Sequence, residues 1–437
     1  MGFIALGCPK NIVDSEKMLG KIAQADLLIT AEPYSADVVV INTCGFIAPA
    51  ADEALQAIRH ALDCKTAGKV KKVIVAGCLC ERLRTELFNR AAGIDAIVGL
   101  GQRDAIAGII KKTFHRDKSA AYLQTSSQKV ADDRARLLIT PGHWAYLRIS
   151  EGCDRRCSFC TVPAIRGRFR SKPRKEVLAE AAELVRAGAI ELNVIGQDTT
   201  NYGRDLKFKN GLSKLLGELE KITGIAWIRL MYLYPAAITD RLIETIAKSE
   251  KTVHYIDMPI QHINDKILKD MRRPDTKERI CSLVENLRRN LPDIVLRTTL
   301  IVGFPGETED QFDELLKFVK WARFDCLGSF RYYPEYGTPA AEMHNQVPDQ
   351  VKQERLEQLM LTQQKIAFKK NNERIGSKLS CLVDSVDNNG IGRGRFYGQA
   401  PDIDSICIIE NCLVKPGQFV DTKVTAAKDY DLIVKQI

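Results

Sequence analysis

No stretch of this sequence comes near the roughly 18 consecutive apolar residues of a membrane-spanning helix, so a membrane partner is not expected. The opening run MGFIALGCPK lacks the basic, then long apolar, pattern of a secretion signal, and the expectation is a cytoplasmic protein. Disorder is also disfavoured, because hydrophobic residues make up 45% and charged residues 27%. Without an export signal the 13 cysteines do not read as a disulfide framework, since a reducing compartment keeps thiols free. Metal ligation, catalysis and small buried packing remain for them. One further absence is local: from Arg155 to Lys175 there are eight Lys or Arg residues and no Asp or Glu. Such a run would draw carboxylates, phosphates or ribosomal RNA, unless it is only a solvated basic loop.

A chain of 437 residues suits two or three domains. Residues 1–116 alternate short apolar strands with helical runs: FIALGC, VVVINTC, KVIVAGC and AIVG stand between NIVDSEKMLGKI, ADEALQAIRHALD and ERLRTELFNRA. That texture predicts an α/β domain with an open parallel sheet and helices on both faces. Residues 117–140 show no persuasive period and read as a linker. Residues 141–373 carry six further strands, WAYLRIS, ELNVIG, WIRLMY, YIDMPI, VLRTTLIVG and CLGSFRYY, with amphipathic helical runs between them and a long helical segment after them. Six such units predict an incomplete (βα)6 barrel, active at the carboxyl ends of its strands and open enough for a macromolecular substrate. Residues 374–437 change to short alternating strands with glycine turns, the pattern of a small antiparallel β barrel. Its eight basic and eight acidic residues offer no electrostatic case for nucleic acid.

EGCDRRCSFC places Cys153, Cys157 and Cys160 in a Cys-x3-Cys-x2-Cys loop directly after the first barrel strand. Thiolates are soft ligands suited to iron-sulfur clusters, and three of them leave the fourth iron of a [4Fe-4S] cube without protein sulfur. That iron can chelate the amino and carboxylate groups of S-adenosylmethionine, and Phe159 between the last two ligands can cover adenine or shield the cluster. Structural zinc is the competing reading, but no nearby Cys or His supplies a fourth ligand at finger spacing. Cys8, Cys44 and Cys78 each stand at or just after the carboxyl end of a first-domain strand, where open α/β sheets place ligands. Taken alone, they could equally be separate buried cysteines capping strands.

With LGCPKNIVDSE, NTCGFI and GCLCER in the first domain, SEGCDRRCSFC in the barrel and the β segment at the end, the chain resembles the methylthiotransferases, a branch of the radical S-adenosylmethionine enzymes. The resemblance implies a TRAM-type terminal domain that binds substrate. It also implies a second [4Fe-4S] cluster on Cys8, Cys44 and Cys78, the first being held by Cys153, Cys157 and Cys160. Cys80, two residues beyond Cys78, departs from the usual family pattern and is either a competing ligand or a packing residue. VIGQDTTNYG, YIDMPIQH, MRRPDT and GRFYGQAPDID look like the branch that modifies an aspartate of small-subunit ribosomal protein twelve, rather than the branch that modifies transfer-RNA adenosine. A nonenzymatic metal-binding ribosomal factor is a more distant alternative.

In the implied chemistry, an external electron donor drives cleavage of S-adenosylmethionine, and the resulting radical takes hydrogen from the aspartate β-carbon. Sulfur from the second cluster then joins that carbon, and another S-adenosylmethionine methylates it. Both clusters must therefore face one cavity at the domain interface. The sulfur source, and whether the substrate is the free protein or a ribosomal particle, stay open. Gln197, Asp198, Arg297 and Gly303, at the ends or entrances of barrel strands, join Phe159 as candidate cofactor contacts. Arg166, Arg168 and Arg170 in the basic run, with Gln261 and His262, are candidate substrate contacts, and hydrogen-bonded loop or surface roles compete for each.

Overall fold

Short runs of β-branched residues set the first sheet, because side chains alternating across a strand can each find a helix-covered core. In the computed structural model, which describes residues 1–123, 130 and 132–437, five parallel strands lie in sequence order. They are β1 (Gly2–Ala5), β2 (Val38–Thr43), β3 (Lys72–Gly77), β4 (Ala96–Val98) and β5 (Ala120–Tyr122). Val39, Ile41, Val73 and Val75 pack against Ala54, Leu55 and Ile58 of the helix Ala48–Thr66. Their neighbours Val38, Val40, Ile74 and Ala76 face Met18 and Ile22 of the helix Pro9–Ala23, on the other side.

The stretch read as linker is partly structural. Ala120–Tyr122 pairs with β4 as the sheet's edge, a strand too short and too poor in large apolar residues to announce itself. Residues 124–129 and 131 of that reading lie outside the described residues. Beyond them Asp133 is fully buried and accepts from Arg103 at 2.6 Å, Arg148 at 2.7 Å and Lys172 at 2.8 Å. Arg136 bonds Glu16 at 3.0 Å and Glu180 at 3.1 Å. This segment is fastened by ion pairs to both flanking domains, an anchor that hydrophobic periodicity does not detect.

The central sheet is the expected open barrel. β6 (Trp144–Arg148), β9 (Glu191–Ile195), β10 (Trp227–Leu230), β11 (Thr252–Asp257), β12 (Val295–Val302) and β13 (Cys326–Arg331) are parallel neighbours in that order. β7 (Ser150–Glu151) and β8 (Arg170–Ser171) form a small antiparallel pair above β6. β11 begins three residues before the expected YIDMPI and ends at Asp257. The helix Asp349–Glu373 crosses toward the last domain, where β14 (Lys378–Val386), β15 (Gly392–Phe396), β16 (Cys407–Glu410), β17 (Phe419–Lys428) and β18 (Asp431–Gln436) close a barrel.

The terminal barrel meets residues near the amino ends of the central strands. Trp227 stacks edge-on with Phe419, and Glu191 accepts from both Arg229 at 2.9 Å and Arg395 at 2.6 Å. Asp404 enters the barrel lumen, taking the Tyr255 hydroxyl hydrogen at 2.7 Å and pairing with Arg297 at 3.3 Å. The domain expected to hold substrate thus plugs the end of the barrel opposite the cysteine loop. Among the described residues no helix is long and apolar enough to cross a membrane.

Candidate active site

The loop carrying Cys153, Cys157 and Cys160 leaves β7 and returns through β8, so a short antiparallel pair closes its base. Gly152 turns the chain at φ +76°, where an added Cβ would stand 2.2 Å from the Arg168 carbonyl oxygen. The Cys153 amide donates across the loop to Gly167 at 3.1 Å, and that of Arg155 points at the Cys153 sulfur, 3.4 Å away. Ser158 sews the far side down: its amide donates to Met271 O at 3.0 Å, its hydroxyl to Asp270 O at 2.7 Å. Phe159, half-buried, packs against the cluster of Ile267, Met271 and Phe304, so its ring helps hold the loop to the barrel. Burial pushes the Cys153 thiol up to about 12, and Cys157 and Cys160 shift upward for the same reason. The trio therefore exchanges protons for metal when it is loaded.

The second trio grows from three strand ends. Cys8 precedes the helix Pro9–Ala23, whose first position is the proline favoured there; Cys44 follows β2; Cys78 opens the helix Cys78–Leu83 directly after β3. Asn11 ties them, donating to Leu6 O at 3.0 Å and Thr43 O at 2.8 Å, while its carbonyl oxygen lies 3.4 Å from the Cys78 sulfur. Burial raises the Cys78 thiol to about 12 and Cys44 upward, with the neighbouring thiols of the trio adding to both. Cys80 points elsewhere: its thiol donates to Val75 O at 3.2 Å inside the first-domain core, so it packs.

Gly77 sets the direction of Cys78. Its φ of +96° and the 2.3 Å that would separate a Cβ from Asn42 Oδ1 leave room for glycine alone. Gly77→Ala is expected to destabilise the first domain by roughly 1–3 kcal/mol, lowering its thermal midpoint and its iron content together, which calorimetry and iron analysis will show.

The two trios meet at one interface. Thr161, next to Cys160, donates to Phe46 O at 2.9 Å, two residues after Cys44. Arg166, expected on an exposed basic loop, is buried between the domains. It donates to Glu151 at 3.1 Å, Asp14 at 3.0 Å, Asn11 at 2.7 Å and the Cys78 sulfur at 3.2 Å. Its charge is used inside the protein, between Glu151 at the base of its own loop and Asp14 of the first domain. Among the described residues no three His, Cys, Asp or Glu side chains stand close enough to hold a single ion. An iron-sulfur cube takes thiolates at its outer corners, farther apart than the ligands of one ion. Three soft donors in each trio, backbone or guanidinium hydrogens aimed at their sulfurs and no imidazole among them fit such a cluster.

The remaining candidates divide sharply. Gln197 donates to Glu151 at 2.8 Å and keeps a buried carbonyl oxygen without a partner, so it stays at the site. Asp198 is used by Arg155 at 2.8 Å and by Thr200 at 2.8 Å, and Arg155 stacks on Tyr234 with 3.9 Å to the ring centre. Asp198 thus orients the cysteine loop. Arg297 is held by Asp257 at 2.9 Å and by Asp404, leaving its guanidinium engaged inside the barrel. Gly303 makes room for protein, since a Cβ there would strike Lys352 at 2.3 Å. Gln261 bridges to β12 with φ +72° and a buried, unpartnered amide oxygen. His262 is fully buried, accepts from the Asn264 amide at 3.0 Å and lies 3.5 Å from Glu307. Arg168 is exposed beside Asp154 at 3.2 Å, and Arg170 donates to the Arg166 carbonyl at 3.1 Å.

Lys10 and Tyr232 are additions to this set. Lys10 is buried within the first turn of its helix, with its ammonium 2.8 Å from the centre of the Tyr232 ring; Tyr232 itself adopts φ +61°. Sequence reasoning passed over Lys10; a lysine in a helix's first turn, against the helix dipole, is the signal by which it could have been found within GCPKN.

An open six-stranded parallel barrel with a three-cysteine loop on its carboxyl face defines a radical S-adenosylmethionine enzyme. The radical SAM superfamily profile matches residues 147–319, the TRAM domain profile matches 375–437, and the uncharacterized protein family UPF0004 matches 1–99. The fold is shared with the radical S-adenosylmethionine methyltransferase TsrM from Kitasatospora setae, at a TM-score of 0.54 and 14% identity over 78% of this chain and 73% of that one. The ribosomal protein uS12 methylthiotransferase RimO of Geobacter sulfurreducens is 45% identical over 99% of this chain and 97% of its own length. That of Pelotomaculum thermopropionicum is 44% identical over 99% and 98%. The chain belongs to the uS12 methylthiotransferase family and is a radical S-adenosylmethionine methylthiotransferase using two [4Fe-4S] clusters.

Proposed function

We propose that this enzyme, acting in the cytoplasm, places a methylthio group on the β-carbon of an aspartate in ribosomal protein uS12. The observation that carries the reading is the convergence of two cysteine trios on one interface, spanned by Arg166. Relatives named for this reaction match across nearly the whole chain.

Cys153, Cys157 and Cys160 would hold one cluster, and Cys8, Cys44 and Cys78 the other. Once bound, the clusters and S-adenosylmethionine supply hydrogen abstraction from an unactivated carbon, sulfur and methyl, with the electron coming from an external donor. The chain's own part is positioning and exclusion of water. Arg155, fixed by Asp198 and stacked on Tyr234, keeps its amide on Cys153. Glu151 binds Arg148, Arg166 and Gln197, so the base of one cysteine loop is tied to the wall of the other site.

Reconstituted enzyme, reductant and S-adenosylmethionine are to be incubated separately with uS12, with small ribosomal subunits and with transfer RNA. The expected product is an aspartate of uS12 in which one hydrogen is replaced by SCH3, located by peptide mass spectrometry. Transfer confined to adenosine of transfer RNA overturns the reading.

A further inference from the structure

Lys10 is buried without the oxygen partner that the other buried lysines have. A charged ammonium enclosed by protein needs oxygen partners. Lys17, Lys172 and Lys352, also buried, each have one: Lys17 donates to the Arg134 carbonyl, Lys172 to Asp133 at 2.8 Å and to Glu180, Lys352 to Asp349 at 2.9 Å. Lys10 makes no hydrogen bond or ion pair with any described residue, and its contact is with the face of Tyr232. It also stands in the first turn of a 15-residue helix, where the helix dipole opposes a cation.

The acids around it are committed. Asp257 binds Arg297 at 2.9 Å and the Tyr232 amide at 3.0 Å, which fixes the tyrosine in its left-handed conformation beneath the lysine. Glu151 is held by Arg148 at 2.7 Å and by Arg166 at 3.1 Å. Lys10 lies two residues from Cys8, and Tyr232 lies just past the carboxyl end of β10, so the contact joins the first-domain trio to the carboxyl face of the barrel.

Resting on the proposed uS12 reaction, we infer that Lys10 receives the side-chain carboxylate of the substrate aspartate and is the residue that selects an acidic side chain. A carboxylate supplies the oxygen partners the ammonium lacks. Gripping it fixes the adjacent β-carbon while leaving that carbon's hydrogens free. The carboxylate of S-adenosylmethionine offers the same chemistry from another source, and the test separates the two.

The affinity of reconstituted enzyme, without reductant, is measured for uS12 carrying aspartate or asparagine at the modified position. Wild type is expected to prefer aspartate by about tenfold to a hundredfold, the worth of one charge-assisted hydrogen bond. Lys10→Met is expected to erase most of that preference and Lys10→Arg to retain it. Lys10→Gln serves as a second neutral variant if the methionine protein does not fold. An aspartate preference equal in wild type and the neutral variants overturns the assignment. So does a neutral variant that keeps the preference and loses affinity for S-adenosylmethionine, since Lys10 would then hold the cofactor. A wild-type enzyme that leaves uS12 unmodified overturns the function itself, whereas modification with an unmoved preference overturns only the role of Lys10.

Discussion

Alanine at Cys153, Cys157 or Cys160 is expected to end formation of 5′-deoxyadenosine, whereas alanine at Cys8, Cys44 or Cys78 leaves that cleavage measurable and ends methylthio transfer. The asymmetry follows from what each trio touches. Cys153, Cys157 and Cys160 sit in a loop closed by its own strand pair and stitched to Asp270 and Met271 of the barrel. The first domain touches that loop through Arg166 and Thr161, which the substitutions at Cys8, Cys44 and Cys78 leave in place. With one thiolate gone, a cluster there would keep two protein ligands, and binding and cleavage of the cofactor would be lost. Cys8, Cys44 and Cys78 are instead joined through Asn11 and the ends of β1, β2 and β3. Under the proposed roles, their loss would remove the second cluster's ligands while the barrel loop keeps its own strand pair. Iron content should fall by about half in either set, and quantifying 5′-deoxyadenosine separately from modified uS12 distinguishes the two. Normal methylthiolation after loss of the first-domain trio would refute the division of labour.

Four strands of the first sheet and all six of the barrel were readable in the sequence, because VVVINT, KVIVAG and the barrel runs are continuous apolar segments between amphipathic helices, whereas the edge strand Ala120–Tyr122 fell in the stretch read as linker. The cysteines at strand ends were readable for the same reason: topology alone gathers the ends of parallel neighbours. What escaped was everything fixed by charge across long separations. Arg166 sits in a run of basic residues that contains no acid, and one of its two acidic partners, Asp14, is 152 positions away. Arg297 is engaged by Asp404, 107 positions on, in a domain whose docking end no local pattern announces. Asp133 lies in a stretch without periodicity and is fully buried all the same. Lys10 was written in GCPKN, but its isolation is visible only when every neighbouring carboxylate has been assigned a partner.

Replacing Arg166 by methionine should strongly weaken the interface between the first domain and the barrel. Burial pushes Asp14 upward, but the guanidinium groups of Arg148, Arg166 and Arg103 outweigh it and hold the carboxyl below its ordinary range. Glu151 stands in the same balance, burial raising it and Arg166 and Arg148 lowering it further. Methionine fills most of the volume but leaves two enclosed carboxylates with one guanidinium fewer, a loss of about 3–5 kcal/mol for a broken buried pair. It also strips the hydrogen from the Cys78 sulfur, so first-domain iron should be lost more readily than barrel iron. Arg166→Lys should recover little, because one ammonium cannot span Glu151, Asp14, Asn11 and Cys78 as a planar guanidinium does. The pH dependence carries the sign of the argument. Carboxyls held low in the folded state add stability above their unfolded value, and that stability is lost as pH falls through the folded one. The gap between wild type and Arg166→Met should therefore be widest near neutrality and shrink on acidification into the carboxylate range. Denaturant unfolding of both proteins across that range measures it, and a gap that stays constant or widens toward acid would show that Arg166 does not stabilise the interface through these two acids.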